Sequence, residues 1–325
     1  MTQDEQADAP SPFHAGEVEL QRLLGVAERM DAVGRRVIRD FMPDQHRDFY
    51  AQLPFLVAAT VDAAGDVWAT VFAGAPGFMH SPDPRILRIN TTVAPDDPAM
   101  AGIAEGGAIG LLGIELQSRR RNRMNGHLSQ LDANGFTVMV EHSFGNCPQY
   151  IQRRNWFPAN RPEEGSPEAE FLVTLDATAR HMIAGADTFF VASFTDLPDG
   201  RRQVDVSHRG GRRGFVRIGG DGTLTIPDFA GNLHFNTLGN FLLNPRAGLV
   251  FVDFESGDML QLTGTVEVLL DSPDIAAFQG AERLWTFTPT TLVSRKAAFP
   301  LRFEFVDWSP KSLMTGDWSG TMPFR

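Results

Sequence analysis

The chain has 325 residues, 42% of them hydrophobic and 21% charged, the composition of a globular protein able to bury a sizeable core and long enough for two domains. Its formal net charge of −11 disfavours nucleic acid and anionic membrane as partners, and a single cysteine, Cys147, excludes an intrachain disulfide and any multi-cysteine metal site. No apolar run approaches the ~20 residues that span a bilayer, and the acidic, proline-bearing start has no apolar centre, so a cytoplasmic protein is expected.

In chain order, residues 1–12 read by composition as a disordered tail. From Glu17 to Phe41 apolar residues recur near helical spacing, interrupted at Gly25 and Gly34, which predicts two short helices. Pro43 ends the second, and His46 to Leu53 reads as a third helix ahead of a strand.

From that point the sequence can be laid on itself. Phe55, Val57 and Ala58 fall on Phe189, Val191 and Ala192. Gly74, Gly77 and Phe78 fall on Gly211, Gly214 and Phe215, and Leu87 and Ile89 on Leu224 and Ile226. Gly110, Leu111 and Gly126 then meet Gly248, Leu249 and Gly264. Val140 to Ser143 meets Val306 to Ser309 if residues 271–300 are an insertion. A period this long points to duplicated domains, not to a solenoid. The expected division is a tail with helices (1–42), a first repeat (43–160), a proline- and glycine-bearing linker (161–175) and a second repeat (176–325).

The stretch from Val204 to Asn240 is the most informative. Val204, Val206 and His208 alternate with Asp205 and Ser207, and Phe215 and Arg217 alternate with Val216 and Ile218, the period of half-buried strands around a glycine turn. Past Pro227-Asp228 and Gly231-Asn232, a short helix capped by Asn236 or Thr237 is predicted. A helix start with unpaired N–H groups suits a phosphate, and Ser207, His208 and Arg209 offer a hydroxyl, an imidazole and a cation beside it. On the residues alone, an ordinary hairpin followed by an ordinary cap accounts for the same pattern.

The order Val204 to Gly211, Gly214 to Val216, Ile226 to Asp228, Gly231-Asn232, Asn236 to Asn240, Asn244 to Leu249 and Leu262 to Gly264 resembles the pyridoxamine 5'-phosphate oxidase-like, FMN-binding split-barrel family. The likeness is clearest from about Ala177 to Val268, with a weaker copy from Gln45 to Arg154. It implies a mainly β (α+β) fold of two antiparallel split β-barrels forming an internal pseudo-dimer, with short helices, and FMN held between them. The vitamin-B6 oxidases of that family carry Ser-Arg-Lys at the phosphate loop and Arg-x-His near the C-terminus. Here Gly231-Asn232-Leu233, followed by His234, and Leu313 to Trp318 stand instead, so B6 oxidation is not expected.

The two copies differ where a phosphate would sit. Opposite Asp228 to Asn240 the first copy has Thr91 to Pro98, with Asp96 and Asp97, and opposite Ser207-His208-Arg209 it has Thr70-Val71-Phe72. Carboxylates there repel a dianion, so the phosphate belongs to the second copy. The first copy carries Arg119, Arg121, Arg123 and Asn125 on one strand face, either a solvated edge or, as the resemblance implies, groups reaching the flavin ring. Asn146, Gln149 and Tyr150, around a helix expected to start at Pro148, are further candidates to bond the ring edge. The expected function is an FMN-dependent oxidoreductase using a small-molecule substrate or reduced nicotinamide donor, with a homodimer possible. The alternative is a non-catalytic flavin, deazaflavin or haem binder. Catalytic residues are not assignable, and the scattered histidines define no metal site.

Overall fold

The computed structural model describes residues 11–92, 94–159 and 168–318; residues 1–10 of the expected tail and 160–167 of the expected linker region lie outside the described residues. Three helices come first: α1 (Ala15–Leu23), α2 (Ala27–Val37) and α3 (Asp44–Gln52). Gly25, at φ +66°, makes the left-handed break between α1 and α2 that most side chains resist.

Seven strands follow: β1 (Phe55–Val61), β2 (Val67–Ala73), β3 (Met79–Asp83), β4 (Ile86–Asn90), β5 (Ala108–Glu115), β6 (Arg120–Asp132) and β7 (Gly135–Asn146), with a 3₁₀ turn at Pro98–Gly102. After β8 (Arg153–Pro158), β9 (Glu170–Leu172) and α4 (Ala177–Gly185), the pattern recurs as β10 (Thr188–Asp196), β11 (Arg202–Gly210), β12 (Arg217–Ile218) and β13 (Leu224–Phe229). It continues through α5 (Asn236–Leu243), β14 (Arg246–Val252), β15 (Met259–Leu269), α6 (Pro273–Ala276) and β16 (Ala281–Arg295), and closes with β17 (Leu301–Asp307) and α7 (Pro310–Leu313).

The strand order of the first sheet is β2-β1-β5-β6-β7-β4-β3, and that of the second is β11-β10-β14-β15-β16-β13-β12, the same path with every element replaced by its counterpart; β9 adds to β16. The protein is therefore two antiparallel split barrels forming an internal pseudo-dimer. Both copies carry a β-bulge at the same place, between Asn125 and Gly126 and between Thr263 and Gly264. A side chain on either glycine would overlap a carbonyl of the neighbouring strand, Met139 or Thr288, so the extra residue fits only as glycine.

Strand pairing corrects two details of the internal alignment. Ala58, not Val57, is the counterpart of Val191, because these two residues face Leu111 and Leu249. The seventh strand of the second barrel is β16, lying within the residues read as an insertion, while β17 pairs with β8 in a separate two-stranded sheet.

Three cores follow from this arrangement. One fills each barrel, around Leu56, Leu87 and Phe136 in the first and Phe189, Leu224 and Trp285 in the second; another lies between the barrels and draws on Val57, Ala69, Leu112, Phe190, Val206 and Val250. This is why β1 and β10 are buried almost end to end and lack the alternation of a half-exposed strand. The barrels meet reciprocally: a methyl at Gly110 would strike the Val204–Asp205 backbone, and one at the equivalent Gly248 would strike that of Val67–Trp68. Such self-complementary contact is what two-fold-related surfaces produce. Gly248→Ala and Gly110→Ala are each expected to destabilise the protein by roughly 1–3 kcal/mol. Thermal unfolding beside Gly185→Ala, whose new methyl would meet nothing within 4 Å, checks this.

A cationic cleft between the two barrels

β6 of the first barrel and β11, the β13–α5 loop and the start of α5 of the second enclose a cleft of about 870 Å³ including its open mouth. Four arginines line it, Arg121, Arg123, Arg209 and Arg283, against one lining carboxylate, Asp228. In a chain of net charge −11 this is a local positive field, fit to draw in an anion.

The loop into α5 is built from unusual backbone. Leu233 and Phe235 adopt left-handed φ of 64° and 61°, as does Tyr150 (φ 63°) on the opposite wall. Bulky residues rarely do so, and such conformations persist only when surroundings enforce them. Phe235 is the N-cap of α5 and supplies no side-chain hydrogen bond. Asn236 and Thr237 are thus the first residues of the helix and not its caps, a correction to the sequence reading. The first turn of α5 therefore has no side-chain cap, and Phe235, Asn236, Thr237 and Leu238 line the cleft.

The polar groups beneath form two sets. Asp228 accepts hydrogen bonds from Arg209 Nη1 (2.9 Å) and Arg283 Nε (3.0 Å). Asp205, buried, accepts from Arg123 Nη1 (3.1 Å), Asn125 Nδ2 (2.8 Å) and Asn240 Nδ2 (3.2 Å), while Ser207 accepts from Arg123 and from Thr237 Oγ1 (2.9 Å). Arg121 Nε donates to the Cys147 carbonyl (2.8 Å). Burial pulls the Arg121 guanidinium down to about 10, with Arg123 adding to the effect. Burial likewise lowers Arg209, which Asp228 partly offsets. Arg123 Nε, Arg209 Nε and Asn146 Nδ2 are buried donors with no hydrogen-bond partner among the described residues, a costly state that an acceptor in the cleft would relieve.

Ser207, His208, Arg209, Asn232, Asn236, Thr237, Arg121, Arg123, Asn146, Gln149 and Tyr150 all line this cleft. His234 and Asn125 stand behind it: His234 packs between Phe13 (5.4 Å) and Phe144 (5.5 Å), its imidazole lowered to about 4 by burial and then by Arg123, and Asn125 braces Asp205. His208 is held neutral by burial and by the neighbouring arginines. Asn232 Nδ2 reaches Asn146 Oδ1 at 3.5 Å, bridging the barrels across the mouth. No helix forms at Pro148; β7 ends at Asn146 and a turn presents Tyr150, whose ring stacks on Phe229 at 5.0 Å. Arg119 precedes β6 in a left-handed turn and bonds Ile151 O and Trp308 O, so it does not share the face of Arg121 and Arg123.

The equivalent place in the first barrel is filled by the protein itself. Asp97 caps the 3₁₀ turn by accepting from Ala99 N (3.0 Å), and it also receives Thr70 Oγ1, Gln261 Nε2 (2.9 Å) and Arg295 Nη1 (2.9 Å). By strand register Thr70 is the counterpart of Ser207 and Gln261 of Arg123. A carboxylate therefore takes the position on one side that the uncapped α5 leaves open on the other.

Asp205, Asp228, Arg283 and Phe229 were not anticipated from sequence, nor was Glu17, which reaches Asn236 from α1. Among the described residues no cluster of His, Cys, Asp and Glu has the makings of a metal site, and no helix is long and apolar enough to cross a membrane.

The class that the fold and the site define is thus a pair of antiparallel split β-barrels with a cationic cleft at their junction. Residues 42–170, spanning the first barrel, match the family model described as pyridoxamine 5'-phosphate oxidase, which supports a pyridoxamine 5'-phosphate oxidase-like family for this fold. No curated protein matches it. Similar solved structures include HupZ of Group A Streptococcus (15% identity, 34% of this chain and 86% of that one, TM-score 0.26) and HutZ, described as the heme storage protein of Vibrio cholerae (15%, 38% and 95%, TM-score 0.26). A FAD-binding protein of Mesorhizobium loti is also similar (14%, 40% and 99%, TM-score 0.27).

Glu17 gives a pH prediction. Burial, with the charge of Asp205 adding to it, pushes its carboxyl up to about 8, above its ordinary 4.5. A carboxyl raised on folding contributes stability that is complete below about pH 4.5 and is lost as pH rises through about 8. Between pH 5 and 9 the wild type should lose roughly 4 kcal/mol relative to Glu17→Gln, which cannot ionise. Urea unfolding of both proteins across that range measures the difference.

Proposed function

We propose that the cleft binds one FMN per chain and that the protein is an FMN-dependent oxidoreductase acting between a reduced donor, such as a nicotinamide, and a small substrate. The observation that carries this reading is the contrast between the open first turn of α5, set among unpartnered arginine donors, and its Asp97-filled counterpart. Uncapped N–H groups, Thr237, Ser207 and Arg209 form a cradle suited to a phosphate dianion. At the other end Arg121, Asn146, Gln149 and Tyr150 present donors and a flat aromatic wall to a planar ring. A bound flavin supplies a two-electron acceptor for hydride. Arg121, lining that end, would supply a positive charge to the ring of a bound flavin and so favour its reduced, negative form. Phe229 and Tyr150 exclude water from one face. Both barrels belong to one chain, so the cleft is complete without a second copy.

His208 supports a second reading, a haem-binding protein: it lines the cleft as a neutral imidazole with Nε2 unpartnered, the form that ligates iron. The absorbance spectrum of the purified protein, and of protein titrated with FMN or haem, separates the two.

Three outcomes are expected. Flavin released by denaturing FMN-saturated protein should equal one per chain; two would mean that Asp97 does not fill the first site. Arg209→Ala should weaken FMN by about 1.5–3 kcal/mol, the scale of hydrogen bonds to charged groups, while riboflavin, lacking the phosphate, binds both proteins alike; isothermal titration compares them. Arg121→Met should lower the reduction potential of bound flavin without abolishing binding of the oxidised form, read by redox titration against a reference dye. An unchanged potential would remove Arg121 from the ring.

A further inference from the structure

The cleft's most unusual component is the left-handed loop from Leu233 to Phe235; Asn232 accepts from His234 N within it (3.2 Å), and further bonds reach it from outside the cleft. α1 lies directly on α5. A methyl on Gly16 would overlap the Gly239 carbonyl, and one on Gly239 would meet the Glu17 backbone, so the helices touch backbone to backbone. From that position α1 grips the loop on both sides of Phe235: Gln21 Nε2 donates to the Leu233 carbonyl (3.2 Å), and Glu17 accepts from the side-chain amide of Asn236. Glu17 is 2% exposed and also accepts from His14 N (2.9 Å), which closes a capping box around the start of α1. Phe13, just ahead, packs on His234 within the same loop.

We infer that Glu17 is a positioning residue of the cleft, fixing the first turn of α5 so that its free N–H groups are preset for a phosphate-bearing ligand. Strained backbone keeps its shape only where neighbours over-determine it, and here α1 provides that constraint. Glu17 does not line the cleft and touches no ligand there; it acts through Asn236. The choice of FMN as ligand rests on the reading above, whereas the ordering of the loop does not.

The test compares full-length wild type, Glu17→Ala, Glu17→Gln and Gln21→Ala by two measurements. Amide hydrogen exchange of residues 231–240 reads the loop without any ligand, and titration with FMN and with riboflavin reads the cradle. Glu17→Ala should speed exchange of the first turn of α5 and weaken FMN by about tenfold, the loss of one hydrogen bond to a buried group, while riboflavin stays within about twofold. Glu17→Gln keeps an acceptor oxygen for Asn236, giving up the one that accepts from His14 N, and should stay within about threefold of wild type. Gln21→Ala should loosen the loop in the same direction. Unchanged exchange in Glu17→Ala, equal loss of riboflavin and FMN, or a Gln variant as damaged as the Ala variant would overturn the assignment. Should Glu17→Ala fail to fold, Glu17→Gln and Gln21→Ala decide it. A wild type that binds no FMN would overturn the functional reading, and the exchange comparison would still decide the role of Glu17.

Discussion

The structure depends on two barrels approaching until strand backbones touch. Gly110 on β5 and Gly248 on β14 have no side chains, and each receives the backbone of the other barrel's second strand. That approach turns the outer faces of β1 and β10 into core and buries Val57, Phe190 and their neighbours in a shared apolar layer. It also carries Arg123 of one barrel to within hydrogen-bond distance of Asp205 and Ser207 of the other. With a wider gap these would be two solvated surfaces. At contact they become a buried polar junction in which every unpaired donor has a free-energy cost.

The same contact explains why charges lie so deep. Asp205 is 1% exposed and Asp228 5%. Neither carboxylate would be tolerated there alone, and each is surrounded by arginine and amide donors drawn from several elements. Buried pairs of this kind contribute little net stability. Their effect is to fix orientation: Asp228 holds Arg209 and Arg283 against the cleft wall, and Asp205 holds Arg123 and Asn125. The arginines are thereby set in place before any ligand arrives, which reduces the ordering cost of binding.

Much of this was legible in the sequence because it rests on local rules. Glycine landmarks and alternating apolar residues marked the strands, and Pro43 and Gly25 bounded the helices. The polar residues of the Val204–Asn240 stretch converged on one cleft with the arginines of β6. What was hidden depends on distant contacts. Glu17 looks like any acidic residue at a helix start, and its burial comes from a partner 219 positions away. Asp205 alternates with Val204 and Val206 and so reads as solvent-facing, but β6 of the first barrel and α5 cover that face. Arg283 lies in β16, which has no glycine matching the first copy and so was passed over as an insertion. The cap of α5 was misplaced because Asn236 and Thr237 have cap chemistry, whereas the chain turns at Phe235, a residue whose left-handed conformation no propensity favours.

Placing both barrels in one chain removes a constraint that governs symmetric pairs. In a dimer of identical barrels every side chain appears at both junctions, so a residue that improves one site must be accommodated in the other. Here the counterparts have separated. Arg123 faces one junction and Gln261 the other; Phe235 leaves one helix start open and Asp97 closes the other. Asp97 also receives Arg295 and Gln261 from the second barrel, so the closed junction joins the two halves through charged hydrogen bonds. Both junctions keep buried polar atoms without partners among the described residues, Arg123 Nε and Arg209 Nε at the open one and Arg295 Nε and Gln261 Oε1 at the closed one. Holding one of each leaves a single helix start uncapped beside a cleft, while the apolar layer shared by β1, β10 and their neighbours holds the barrels together.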